Sequence, residues 1–309
     1  MTAMKMLDAI QSNVLLADKT TFKIGGYSQW YYEPGNPEDV AKALAWAQSM
    51  KMPVFVLGKG SNVLVSDEGW PGLTVNIGAA FDAIDWEGNC AVCQSGASLH
   101  CLLRGMIDRK LCGIEKLAGI PGSIGGALYM NAGAFGQSIM QYVESVNYLD
   151  YTDIKVHAIP RSMIDAGYRW SIFSLKKSIV ISARFCFQPA CDNKAPGIVD
   201  EVMTKRKIRH PLDKPNCGSV FKNPEHTTAG IIIEQCGLKG FSVGGVSVSN
   251  KHANFIVNNL NGSAADVRHL IVTIQQEVFK KKQILLEPEV VFVGTFREPL
   301  FTHVEYNKP

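Results

Sequence analysis

"AGIPGSIGGALYMNAGAFG" occupies Ala118–Gly136, and six of its nineteen residues are glycine. Glycine inside a helix or strand costs roughly 0.5–1 kcal/mol relative to alanine, so the stretch is expensive as plain scaffold. Two needs account for it: tight turns with positive φ, or a ligand that approaches main-chain N–H groups directly. Pro121-Gly122-Ser123 and Asn131-Ala132-Gly133 are polar turn elements bracketing a small-residue segment. Turns of that kind expose consecutive N–H groups that bind a pyrophosphate as an anion nest. A closely packed helix entry is the alternative that this stretch alone leaves open.

A second glycine loop, GKGSNV, lies upstream at 58–63. It follows a strand and begins G-x-G, but valine holds the third glycine position and a strand follows, where a dinucleotide fingerprint needs a helix. No G-x-x-x-x-G-K-[ST] is present, which removes the P-loop. On periodicity alone GKGSN is a turn between two strands. Two such loops in one chain nevertheless favour a nucleotide cofactor.

Around these loops the pattern alternates. Asn36-Pro37-Glu38-Asp39 reads as a helix start, with an N-cap, proline at the first helical position and acids in the first turn. Val40, Leu44 and Ala47 recur at helical spacing, and Val54–Leu57 reads as a strand. LTVNIGA, CAVCQSGA, VESVNYLDY and SIVISARFCF are β-rich segments bounded by turn residues, predicting a mainly antiparallel unit. After CDNKAPG (191–197) the character changes: helices are predicted over about Ile198–Arg209, 228–236 and 266–282, then a strand in EVVFVGTF. A boundary falls near 191–197.

The 309 residues fit two or three domains. With 46% hydrophobic and 19% charged residues and a net charge of +3, neither nucleic-acid nor membrane binding is implied. No apolar run approaches the ~20 residues of a membrane span. Asp8 and Gln11 sit where a signal peptide needs its apolar centre, so the cytoplasm is the expected compartment. There the eight cysteines are expected as reduced thiols, and the single C-x-x-C, Cys90 and Cys93, as strand residues rather than metal ligands. No metal site is expected.

The residues carry a resemblance. LGKGSNVLV (57–65) paired with the Ala118–Gly136 stretch is similar to the flavin-binding half of the UDP-N-acetylenolpyruvoylglucosamine reductases, the MurB family. Six further motifs follow in order: TTFKIGG (20–26), YRWSIF (168–173), GSVFKNP (218–224), AGIIIEQCGLKG (229–240), VSNKHANFIVN (248–258) and LEPEVVFVG (286–294). Cys217 and Asn216 stand before Gly218-Ser219, where the family usually has a small residue next to the glycine. Val291 stands where arginine is frequent. The short segment between YRWSIF and GSVFKNP resembles the subclass without an extra tyrosine-bearing loop. The implied fold is α+β: a vanillyl-alcohol-oxidase-type FAD-binding fold of two α/β subdomains, 1–72 and 73–194, plus a C-terminal α/β substrate-binding domain, 195–309.

The resemblance implies the chemistry as well. NADPH would pass a hydride to non-covalently bound FAD, and thence to the enolpyruvyl ether of UDP-N-acetylglucosamine, giving UDP-N-acetylmuramate for peptidoglycan. Hydride addition leaves enolate character beside a carboxylate, which calls for a fixed cation. Arg169 is the candidate, since its planar fork holds a carboxylate bidentately. Ser219 matches the family's proton donor, a role that demands neighbours able to stabilise an alkoxide. Glu289, chosen over Glu287 by motif position, is the third catalytic candidate.

Cofactor-binding candidates are Gly58, Gly60, Ser61 and Asn62 in one loop, and Gly119, Pro121, Gly122, Ser123, Gly125, Gly126, Asn131 and Gly133 in the other. The N–H groups of Gly122, Ser123, Gly125 and Gly126 are expected to face the pyrophosphate. Tyr168, Lys222 and Asn223 are the substrate-binding candidates. Lys205, Arg206, Lys207 and Arg209 read as a solvated helix face, and His252 and Asn254 as residues that could equally fix a turn. Two other functions fit less of the pattern: a flavin oxidase of the same cofactor fold, and a flavin-free nucleotide-binding regulator. LGKGSN offers no histidine for covalent FAD. Neither a nucleic-acid partner nor membrane insertion is implied, and a monomer is expected.

Overall fold

The computed structural model describes residues 8–190, 194–259 and 261–302. The boundary at 191–197 and the N-terminal segment read against a signal peptide each fall partly outside them. The chain forms two compact units. The first gathers the residues up to Ser12, Trp30–Lys59 and Gly72–Arg206; the second gathers Asn13–Gln29, Gly60–Pro71 and the chain from Lys207 onward.

In the first unit, helix Pro37–Ser49 begins where the capping signal places it: the Asn36 side chain accepts from Asp39 N at 2.9 Å. Such a cap is worth about 1 kcal/mol. The helix buries Val40, Ala43, Leu44 and Ala47 against Leu73, Val75 and Phe81. Strand Val54–Leu57 pairs in parallel with Leu73–Asn76. A second, antiparallel sheet has five strands, in the order Val156–Pro160, Val143–Asp150, Ser178–Cys186, Cys90–Gln94, Ile84–Glu87. Its apolar face is covered by helices Leu99–Asp108 and Ile124–Tyr129, joined in one core with Leu102, Met106, Ile124, Leu128 and Phe185.

That sheet corrects the cysteine reading. Its register sets Cys186 opposite Cys90, with Cα atoms 4.1 Å apart, and the two form a disulfide. Cys93, three residues on along the same strand, is a buried thiol, pushed up to about 12 by burial and secondarily by Asp85.

In the second unit, strand Val63–Val65 pairs in parallel with Val291–Val293. GKGSN links two strands, as local periodicity suggests, and those strands belong to different sheets. Helix Ala264–Lys282 buries Val267, Leu270, Ile271, Ile274 and Val278 beside Phe221, Ile233 and Val248. Ser263 caps it, and the Asp67 carboxylate accepts from Ala264 N and Ala265 N at 2.7 and 2.9 Å. In the first unit again, the helix expected from Ile198 starts earlier, at Ala195. Pro196 does not prevent this, because a first-turn residue needs no N–H partner within the helix. Among the described residues, no helix is long and apolar enough to cross a membrane.

Candidate active site

The two glycine loops meet in the first unit at Gly58 and Ser123. Gly58 ends strand Val54–Leu57, and a Cβ there would lie 2.5 Å from Ser123 Oγ. Ser123 is the N-cap of helix Ile124–Tyr129. Gly122 has φ +142°, a conformation suited to glycine. The main-chain N–H groups of Gly122 and Ser123 donate to no described residue.

Gly125 and Gly126 differ from the expectation. Gly125 N donates to Ser95 O at 2.7 Å, and Gly126 N to Ser123 Oγ at 3.4 Å. Their N–H groups are committed within the protein, so the expected four-amide nest reduces to Gly122 and Ser123. What requires glycine at 125 is packing, since a Cβ would come within 3.0 Å of Ser95 Cβ. Ser95 itself is buried, and its Oγ has no hydrogen-bond partner.

Downstream in the stretch, two more cofactor candidates are occupied structurally. Asn131, at φ +44°, donates Nδ2 to Gly167 O at 2.8 Å, and its Oδ1 accepts from Met140 N. At Gly133 a Cβ would stand 2.6 Å from Gln137 O across a short hairpin. Asn131 thus braces the turn that carries Tyr168 and Arg169. Arg169 lies at φ +62°, a left-handed conformation uncommon for a side-chain-bearing residue and concentrated at functional sites. Its guanidinium sits 4.9 Å from the Tyr168 ring centroid.

A second arginine, read from the sequence as solvated, joins it. Arg206 packs over Gly119, where a Cβ would meet Arg206 Cδ at 2.7 Å, and Gly119 itself is left-handed at φ +74°. The Nε of Arg206 is buried with no hydrogen-bond partner. Burial, then the Arg169 charge, lowers its pKa below the ordinary arginine value. Two neighbouring guanidiniums, one of them with an enclosed Nε that bonds to no described residue, form an anion-accepting corner. The signal in the sequence was positional: Arg206 stands one helical turn beyond buried Val202, on the packed stripe.

The remaining candidates lie in the second unit. The segment after Gly218 (φ +81°) is fastened on both sides. On one side Asn254, 3% exposed, accepts from Phe221 N at 3.0 Å and donates to Phe221 O at 2.8 Å, and its carbonyl accepts from Val220 N. On the other, Glu289 N donates to Val220 O at 2.7 Å, and Lys222 N to Glu287 O at 2.9 Å. Ser219 and Glu289 are thereby held through one shared residue, Val220. The Ser219 hydroxyl donates to no described residue. Neighbouring Cys217 is buried, its thiol pushed up to about 12 by burial, with Glu289 adding to the rise.

Several assignments change character here. Asn62 donates Nδ2 to Glu289 O at 3.2 Å and accepts Val291 N, so it positions the acid. Gly60, at φ +62°, would drive a Cβ to 2.4 Å from Lys19 O and accepts Thr21 N; it locks TTFKIGG to the loop. Ser61 between them is half-buried. Lys222 is ion-paired with Glu287, which separates that acid from Glu289 in role. Asn223 Oδ1 accepts Ala229 N at 3.1 Å, at the start of helix Ala229–Gln235.

Comparisons with known proteins converge on one family. Residues 28–157 match the FAD binding domain family, and residues 210–293 match the UDP-N-acetylenolpyruvoylglucosamine reductase, C-terminal domain family. A UDP-N-acetylenolpyruvoylglucosamine reductase of Clostridium botulinum (strain Eklund 17B / Type B) is 38% identical over 285 residues, covering 92% of this chain and 93% of the relative. One of Synechococcus sp. (strain JA-3-3Ab) is 38% identical over 294 residues, covering 95% and 94%. The crystal structure of UDP-N-acetylenolpyruvylglucosamine reductase (MurB) from Thermus caldophilus superposes with a TM-score of 0.79 at 30% identity, over 92% of this chain and 99% of that one.

Proposed function

Because the chain belongs to the UDP-N-acetylenolpyruvoylglucosamine reductase family, we propose a division of labour among its residues for that family's reaction. The enzyme is an FAD-dependent oxidoreductase that reduces UDP-N-acetylglucosamine enolpyruvate to UDP-N-acetylmuramate with NADPH, in peptidoglycan precursor synthesis. Bound FAD supplies the hydride chemistry, linking NADPH oxidation to reduction of the enolpyruvyl double bond.

The cradle suits a flavin diphosphate. A Cβ would close the space between Gly58 and Ser123, and the N–H groups of Gly122 and Ser123 have no protein acceptor. These residues would hold the diphosphate oxygens, with Pro121 fixing the turn. Arg169 would fix the substrate carboxylate and offset the enolate charge, with Arg206 supplying the second cation of that corner. Ser219 would then deliver the proton to carbon. Glu289 would hydrogen-bond the protonating centre, aligned by Val220 and Asn62. Tyr168, Lys222 and Asn223 would line the sugar-nucleotide path.

The observation that carries these roles is the Glu289 N to Val220 O hydrogen bond, which ties the candidate acid to the residue after Ser219. The segments 1–72 and 73–194 would serve FAD and 195–309 the substrate, supported by the matched ranges. Cytoplasmic location and a monomeric state complete the reading; NADPH and sugar nucleotides belong to that compartment. The direct test of function follows NADPH oxidation at 340 nm, roughly the reduced nicotinamide band, with and without the enolpyruvyl substrate. Strong substrate stimulation is expected. Rapid oxidation by dioxygen alone would instead indicate the oxidase, and a colourless protein the flavin-free regulator.

A further inference from the structure

Away from these residues, the second unit holds a cavity of about 290 Å³, lined by Ser66, Asp67, Ala265, Arg268, Phe296 and Glu298 among others. It opens where strands Val63–Val65 and Val291–Val293 end and helix Ala264–Lys282 begins. Part of its wall, Thr295–Glu298, lies beyond the stretch that matches the reductase C-terminal domain family, 210–293. The reaction described above uses none of these side chains.

Arg268 sets the chemistry. It is only 9% exposed, and its guanidinium lies over Phe292 at 4.4 Å and Phe296 at 5.4 Å. Its Nε donates to Glu298 O at 2.8 Å, while its two terminal nitrogens donate to no described residue. Burial lowers its pKa below the ordinary arginine value, only partly countered by Glu298. A buried cation packed against two aromatic rings, with its terminal nitrogens unused by described residues, is set for a planar bidentate anion.

The carboxylates nearby are already engaged. Both Asp67 oxygens accept helix N–H groups, Glu68 Oε1 accepts Arg297, and Glu298 Oε1 faces His269 Nδ1 at 3.1 Å. Their negative charge opposes a dianion such as phosphate, and the cavity lies at the lower limit for small-molecule sites, which start near ~300 Å³. Phe296 and Ala265 offer apolar surface to a ligand body.

We propose that this cavity binds a small monocarboxylate with an apolar body, its carboxylate paired to the terminal nitrogens of Arg268. The test uses the full-length FAD-loaded protein and saturation-transfer NMR with isovalerate, isovaleramide and inorganic phosphate as probes. Isovalerate should bind with a dissociation constant on the order of millimolar, given its few non-hydrogen atoms. The amide and phosphate should bind at least ~10-fold more weakly, reflecting the charge-assisted pair. Arg268→Met, which keeps an unbranched apolar stem, should weaken isovalerate by at least ~10-fold while NADPH oxidation is unchanged. Should that variant fail to fold, Ala265→Leu decides, because it adds bulk to the cavity wall while keeping the cation and should also abolish binding. Absence of isovalerate binding at tens of millimolar, equal binding of the amide or phosphate, or binding that survives either folded variant would overturn the assignment.

Discussion

A guanidinium withdrawn from water with no anion beside it is a cost that folding alone gives no reason to keep. Arg206 carries part of that cost, half-buried with its Nε enclosed and unpartnered among the described residues, and the charge of Arg169 adds to the penalty. If its partner is a substrate or cofactor anion, the variant Arg206→Met has a two-part signature. Thermal stability of the apo protein should stay level or rise, because the buried charge is gone. The kcat/KM for the enolpyruvyl substrate should fall by roughly 10–100-fold, the worth of a charge-assisted hydrogen bond. A structural role would show the reverse, with stability lost and activity per folded molecule retained. Arg169 was legible in the sequence because the YRWSIF motif surrounds it. Arg206 was not, because it sits in the basic run KRKIR, and only the packed helix separates a half-buried arginine from its solvated neighbours.

At the scale of elements, the catalytic turn depends on Asn254 as a clamp on both polar groups of Phe221. Replacing it with alanine orphans buried groups worth about 1–3 kcal/mol each, so urea unfolding should show a loss of roughly 2–5 kcal/mol. His252, two residues earlier, gives a pH signature. Burial first, then Lys239 and Arg209, hold its pKa below 6.5, with Glu234 opposing; the His210 and Phe255 rings also pack on it. The unfolded chain therefore takes up a proton near its ordinary pKa while the folded imidazole resists it. Stability is full above about pH 6.5 and declines as pH falls from there toward the folded value. Denaturation from pH 7.5 downward should show a shallower acid loss in His252→Gln; an unchanged slope would remove His252 from the account. The Cys90–Cys186 pair is tested by peptide mapping. Air-exposed protein should yield the linked peptide without reductant, and cells quenched by alkylation in acid should yield both thiols free, as a glutathione-buffered compartment requires. A linked peptide from quenched cells would contradict the cytoplasmic location proposed above.

The same scale explains what the sequence could and could not reveal. Helix Pro37–Ser49 was legible because Asn36, Pro37 and Asp39 specify its start locally. The glycine stretch was legible as a special backbone, yet which N–H groups remain available depends on Ser95 and Ala97, about thirty residues upstream, accepting Gly125 N and Ile124 N. Likewise no local pattern joins Cys90 to Cys186 across 96 residues of chain; strand register does. Asn62 and Asn131 carry cofactor-like motif positions, but each spends its side-chain amide on backbone that positions another site residue.

Over the whole molecule, the reaction divides into two halves that ask different things of the chain. Reduction of FAD by NADPH needs no proton delivered to carbon; reduction of the enolpyruvyl group does. Ser219 is the proposed donor, held beside Glu289 through Val220. The deciding measurement is stopped-flow absorbance of bound flavin in Ser219→Ala, one half-reaction at a time. Flavin reduction by NADPH should remain near the parent rate, and reoxidation by the enolpyruvyl substrate should slow by at least ~10²-fold, the lower range for a positioned acid. If both half-reactions run at parent rates, Ser219 is only a turn residue and the central claim is wrong.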